Sequence, residues 1–127
     1  DKFPLIPMKF HPNSYLGTKK LLIKNPYPSV MKVGSTHAGF GKAKLKDDGE
    51  YYDMEGLIAL NHDYFTVEPF VKDIVYEYRV QKIGTHFRAY KRYSTDNWKG
   101  NWGAIKFEDQ PWTDKCQLWA DEVAKMF

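Results

Sequence analysis

The sequence predicts an α+β protein: a mainly antiparallel sheet carrying two or three helices. Three observations carry this. Runs rich in β-branched and aromatic residues occur at 64–71 (YFTVEPFV), 76–83 (YEYRVQKI) and 86–93 (HFRAYKRY), and a short apolar run at 28–33 (PSVMKV) is followed after a glycine-rich turn by a second short strand at 42–45 (KAKL). Two segments with apolar residues at helical spacing each follow a capping residue. Pro4, Pro7, Pro12 and Pro26 punctuate the first 27 residues, which forbids a long helix there and predicts an extended, connector-like lead-in that can still hold short pieces of structure.

Each element follows in order. Gly34 ends the first strand, and Ser35 to Gly41 form a small-residue turn into the second, so that the pair reads as a hairpin with an open, glycine-rich tip. Asp47 or Asp48 caps a helix whose apolar side holds Met54, Leu57, Ile58 and Leu60, before a turn at Asn61 and His62. Gly84 and Thr85 supply a two-residue turn between the strands at 76–83 and 86–93. Alternation puts Tyr78, Val80 and Lys82 on one face and Arg79, Gln81 and Ile83 on the other. A polar loop at 96–104 carries Trp98 and Trp102, and Glu108 and Asp109 fall in the last loop. Pro111 and Trp112 then precede a final helix capped by Thr113 or Asp114, with Leu118, Trp119, Val123, Met126 and Phe127 on its apolar side.

With 127 residues, 43% hydrophobic and 28% charged, the chain has the size and composition of one soluble globular domain. Its aromatic content is high at 17%. No apolar run approaches the length that crosses a bilayer, and the start lacks the apolar core of a signal peptide. The single cysteine, Cys116, has no internal disulfide partner and reads as a buried or half-buried thiol, which fits a reducing compartment. The net charge of +3 is too small to imply nucleic acid. Between positions 82 and 106, however, Lys82, Arg88, Lys91, Arg92, Lys99 and Lys106 face only Asp96; anion attraction and a solvated strand face are both open readings.

The strongest chemical motif is Lys32 followed by Gly34, Gly39, Gly41 and Lys42. A phosphate chain needs backbone N–H groups that no side chain blocks, together with lasting cations, and this pattern offers both. It is neither the P-loop nor the dinucleotide fingerprint, and a glycine hairpin that only turns the chain fits it equally well. The histidines at 11, 37, 62 and 86 have no metal-site spacing, although His37 lies inside the glycine loop. No nucleophile, base and orienting acid occur together, so no catalytic residue is expected. Nor is there a strand ending in paired carboxylates to hold Mg²⁺ against a triphosphate. Aromatics alternate with bases over 86–102, yet they read as ordinary strand residues, and no nucleic-acid partner is expected.

Residues 29–42 (SVMKVGSTHAGFGK), 66–70 (TVEPF), 76–84 (YEYRVQKIG) and 97–101 (NWKGN) occur in the order and approximate spacing of the synapsin ATP-grasp domain, and the lead-in FPLI with Pro12 and Asn13 is also similar. The chain therefore resembles the central part of the synapsins over nearly its whole length. The resemblance implies part of an ATP-grasp fold, with an extended lead-in at 1–27, a lid subdomain at 28–71 and the start of a second subdomain at 72–127, incomplete at its C-terminal end. It implies ATP as the ligand, with Mg²⁺ or Ca²⁺ whose ligands are not found in this chain. Lys32 would reach the α- and β-phosphates; Ser35, Thr36, His37, Ala38, Gly39, Phe40 and Gly41, with Lys42 behind them, would form the lid. Glu68, Pro69, Phe70 and Val71 would be the hinge whose backbone reads adenine, Lys99 would be a further phosphate contact, and Arg79 would either help order the second subdomain or reach the phosphates.

The chain departs from the family pattern in places. Glu77 and Tyr78 stand where Asp and Val are expected, Gly100 where Thr is expected, and Ser35, Thr36 and Ala38 where His, Ala and Ser are usual. The family implies a cytoplasmic regulatory module at synaptic vesicles that works by association with vesicles, the cytoskeleton or itself, as a homo-oligomer, rather than by catalysis. The alternative is a small self-associating or ligand-binding protein that kept the sheet and lost the nucleotide.

Overall fold

A computed structural model describes residues 5–12, 26–60 and 63–126. Seven strands and two helices follow in the order β1 (Lys9–His11), β2 (Ser29–Val33), β3 (Lys42–Leu45), α1 (Asp48–Ala59), β4 (Phe65–Pro69), β5 (Glu77–Ile83), β6 (His86–Ser94), β7 (Ile105–Gln110) and α2 (Asp114–Ala124). All ladders are antiparallel, in two sheets, β1-β4-β2-β3 and β5-β6-β7. The fold is α+β, and it divides into two units, one of residues 5–72 and one containing 73–126.

In the first unit, alternation along β2 decides what is core and what is site. Ser29 and Met31 are buried, and Met31 pairs across the ladders with Ala43 and Val67. With Leu45, Phe65, Val67, Tyr51 and Ile58 it forms the core, against which Met54, Val33 and Tyr27 pack. Helix α1 closes this face. It starts where Asp47 accepts a hydrogen bond from the Glu50 N–H at 3.0 Å, and the Glu50 carboxylate reaches back to the Lys46 N–H at 2.8 Å, which satisfies two donors at the helix entry. Asp48 does not cap; it accepts from the Tyr27 hydroxyl at 2.7 Å.

The helix presents a different face from the expected one. Tyr51, Met54 and Ile58 turn inward, while Leu57 and Leu60 are 60% and 77% exposed. Tyr51 and Ile58 are seven residues apart, on one stripe, and Leu57 lies off it. The expected turn at Asn61 and His62 lies outside the described residues, as do parts of the lead-in. Within that lead-in, β1 is a sheet strand rather than a connector. Its His11 is buried and stacks on Phe65 with ring centroids 4.8 Å apart. Burial, reinforced by Lys9, holds the imidazole below its ordinary pKa, so His11 is a neutral core ring at pH 7.

In the second unit the β5–β6 hairpin turns at Gly84 and Thr85, with Ile83 opposite His86, and α2 packs against β5. Thr113, not Asp114, caps α2 by accepting from the Cys116 N–H at 3.3 Å. The buried positions of α2 are Cys116 and Ala120, whereas Leu118, Val123 and Met126 are exposed. The small side chains sit where the helix approaches the sheet. Burial raises the Cys116 thiol pKa, but hydrogen bonds from Thr113 and Tyr78 outweigh it and the net direction is down. Residues 105–110, read as loop, form β7. Glu108 and Asp109 are therefore strand residues opposite Lys91 and Tyr90.

Phe65→Ala should cost about 3–5 kcal/mol in urea denaturation because it empties a fully buried ring site, whereas Leu57→Ala should change stability by less than about 0.5 kcal/mol. Equal losses would contradict the inward face assigned to α1.

Candidate functional site

The side of β2 away from the core carries Lys32. Register sets its neighbours: Lys42 lies directly opposite on β3 and Thr66 directly opposite on β4. One pair further along, Val30 is flanked by Lys44 and Glu68. Lys32 Nζ meets Glu68 Oε1 at 2.5 Å, and Lys44 Nζ lies 3.9 Å from the Phe70 ring centroid. Three lysines thus share one sheet face with a single carboxylate, Glu68. Among the described residues Lys42 has no ion-pair partner. A surplus of cations held on rigid strands is suited to a polyanion.

The loop above this face is built, not slack. The Val33 N–H donates to the Gly41 carbonyl at 2.8 Å and closes the hairpin. The Gly34 N–H donates to Tyr64 O at 2.7 Å, and the Thr36 hydroxyl donates to Val33 O at 2.7 Å. Ala38, Gly39 and Gly41 have φ of 55°, 84° and 60°. At Gly41 a side chain is excluded twice, by that conformation and because a Cβ would lie 2.7 Å from Thr36 Oγ1. Ser35, Thr36, His37, Ala38 and Phe40 are exposed around this turn. The structure therefore brings together Lys32, Lys42, the glycine loop and Glu68, and adds Lys44, which sequence reasoning passed over. Its signal was the K-A-K alternation that puts Lys42 and Lys44 on one face.

Pro69 ends β4, and Phe70 and Val71 follow it. The Phe70 N–H is already committed to the Pro28 carbonyl at 2.9 Å. Alternation directs the Pro69 carbonyl to the opposite edge of the chain, away from β2.

Arg79 and Lys99 belong to the other unit. Arg79 is an exposed β5 residue opposite Tyr90. Lys99 sits in the loop between β6 and β7. That loop is tied at its base by Thr95 N–H to Ala104 O at 3.0 Å, and by Asp96 Oδ1, which accepts from Ser94 Oγ at 2.8 Å and from the Ala104 N–H at 3.0 Å. These bonds hold the Asp96 carboxyl below its usual pKa. A Cβ on Gly103, whose φ is 77°, would fall 2.1 Å from Asp96 Oδ1, so the knot requires glycine there. The basic stretch is less available than its charge count suggests. Arg88 pairs with Asp109 at 2.7 Å, Lys91 with Glu108 at 3.6 Å, and Arg92 with Glu77. Two of those acids come from β7, the strand that sequence reasoning missed.

The whole chain, residues 1–127, matches the family model described as "Synapsin, ATP binding domain". The chain belongs to the synapsin family. It is 36% identical over 132 residues to a protein named Synapsin from Drosophila melanogaster, an alignment that takes in 100% of this chain and 12% of that protein. The chain thus spans about an eighth of the length of that relative.

Membership in the synapsin family gives two of the departures a joint meaning. Gly100 stands where the family pattern has Thr, and a Cβ there would come within 2.8 Å of Glu77 Oε1. Glu77 stands where the pattern has Asp, and its carboxylate is held by Arg92. Glu77 and Gly100 thus lie side by side, and a larger residue at 100 would meet the Glu77 carboxylate. No such account emerges for Ser35 and Ala38, while Thr36 is explained by its bond to Val33 O.

Gly100→Thr alone should destabilise by about 1–3 kcal/mol through overpacking, and Glu77→Asp combined with Gly100→Thr should recover at least half of that in thermal melts. Strict additivity of the two single changes would show that they do not interact.

Proposed function

We propose that this chain is the nucleotide-holding part of a synapsin-like regulatory module that binds ATP. The observation that carries the reading is the lysine face next to the glycine loop: Lys32, Lys42 and Lys44, with Glu68 as the one strand carboxylate on that face among the described residues. In this reading 28–71 is the lid subdomain and 72–127 opens the second subdomain. Lys32 turns from Glu68 to the α- and β-phosphates, and Ser35, Thr36, His37, Ala38, Gly39, Phe40 and Gly41 fold over them. Adenine takes the hinge formed by Glu68, Pro69, Phe70 and Val71. The Pro69 carbonyl supplies an acceptor there, since the Phe70 N–H is spent on Pro28. By the family resemblance Lys99 is a further phosphate contact, and Arg79 either reaches the phosphates or orders the second subdomain.

Mg²⁺ or Ca²⁺ accompanies ATP as a counter-ion. Among the described residues no three His, Cys, Asp or Glu side chains gather as a metal site, so no residue here is assigned to the metal. The module acts by association with vesicle surfaces, the cytoskeleton or itself, in the cytoplasm, rather than by catalysis. Among the described residues no helix is long and apolar enough to cross a membrane.

Calorimetry with ATP and Mg²⁺ or Ca²⁺ should give a saturable heat and raise the melting temperature. Lys32→Ala and Lys99→Ala should each weaken binding by roughly tenfold or more, since each removes a charge-assisted contact of about 1.5–3 kcal/mol. No heat and no melting shift with the intact chain would overturn the reading.

A second reading, a self-associating protein without nucleotide, is favoured by one observation in the second unit. Leu118 and Val123 on α2, Met126 just after it and Ile83 on β5 are exposed, and a groove of about 530 Å³ between α2 and β5 is lined by Val80, Trp119 and Ala120. A symmetric partner would cover such a surface. Light scattering should then show dimers or larger species at micromolar concentration, and a strict monomer would remove this reading.

A further inference from the structure

Thr36 bridges the two arms of the glycine loop. Its hydroxyl donates to Val33 O at 2.7 Å, and the Thr36 N–H donates to the same carbonyl at 3.4 Å. On the other arm, a Cβ built on Gly41 would lie 2.7 Å from Thr36 Oγ1 and 2.8 Å from Thr36 Cγ2. The side chain therefore fills the gap between Val33, where the loop leaves β2, and Gly41, where it returns to β3. The arms are joined at their base by the Val33 N–H and the Gly41 carbonyl, and the Phe40 N–H donates to His37 O at 3.2 Å at the tip. The family pattern has Ala at position 36, which supplies neither the hydroxyl nor the branch.

We infer that Thr36 is a positioning residue of the glycine loop: it latches the two arms together before a nucleotide arrives, and so strengthens the loop's hold on the phosphates. This inference rests on the nucleotide reading and deepens it. A glycine-rich loop has many conformations open to it, and ordering it on binding costs affinity. A hydrogen bond already made in the free chain lowers that cost in advance. The β-branched side chain has few rotamers, so its hydroxyl is held where Val33 O meets it. Glycine at 41 is the other half of the latch, because a side chain there would expel Thr36 from the gap. The whole device lies within residues 33–41 of the first unit.

The test combines amide hydrogen exchange of the ligand-free chain with calorimetry of ATP and adenosine, using the full chain with Thr36→Val, Thr36→Ser or Thr36→Ala. Thr36→Val keeps the shape and removes the donor. It should speed exchange at Val33 and Phe40 and weaken ATP binding, each by roughly two- to tenfold, while adenosine binding and the melting temperature stay unchanged. Thr36→Ser should restore most of both losses, and Thr36→Ala should lose at least as much as Thr36→Val. If Thr36→Val exchanges or binds ATP as the wild type does, the inference falls and the nucleotide reading stands. Equal weakening of ATP and adenosine would have the same result. Wild-type chain that binds no ATP would remove the nucleotide reading, and this inference with it.

Discussion

The register of β2 between β3 and β4 is the constraint on which the first unit depends. Side chains of an extended strand alternate, so one register simultaneously sends Met31 into the core beside Val67 and sets Lys32 between Lys42 and Thr66 on the outer face. A slip of one residue would bury the lysine and expose the methionine, and the cost of stranding a charge in the core forbids it. The core therefore does more than stabilise. Phe65, Leu45 and Tyr51 lock the register, and the register aims the lysines.

The second unit reaches a comparable end by other means. Its loop cation is placed by local knots: Asp96 gathers donors from Ser94 and Ala104, Gly103 admits the carboxylate, and Gly100 lies on Glu77. Glu77 in turn is committed to Arg92 across the β5–β6 ladder. Lys99 is thereby tied to the sheet through a glycine contact and an ion pair.

Much of this was legible in the sequence, and the gaps have physical reasons. Strands β4 to β6 declared themselves by β-branched and aromatic runs, β2 and β3 by the glycine-rich turn between them, and the motif's Lys32, Lys42 and glycine loop adjoin in the structure, with Glu68 beside Lys32. Strand β7 was missed because Ile105, Lys106, Phe107, Glu108 and Asp109 are all exposed, so neither face has a burial pattern to imprint on the sequence. Its evidence is electrostatic instead, in the acids that meet Arg88 and Lys91. Strand β1 is three residues long and flanked by prolines, too short for periodicity to register. The helix faces were misjudged because leucine was taken as core by its chemistry. The sheet instead selected Tyr51 on α1 for its size and Ala120 and Cys116 on α2 for their smallness.

The lysines of β3 have one more consequence. β3 is an outer strand of its sheet, paired only with β2 among the described residues, and such a strand offers a row of unsatisfied backbone groups to any other extended chain. Lys42 and Lys44 alternate along it, with Lys46 just beyond. A second copy that added itself edge to edge would bring these charges against its own, so the strand is defended against polymerisation by repulsion. The residues that make the face receptive to a small polyanion thus also make its border inhospitable to another protein, and neutralising them would be expected to expose the chain to aggregation.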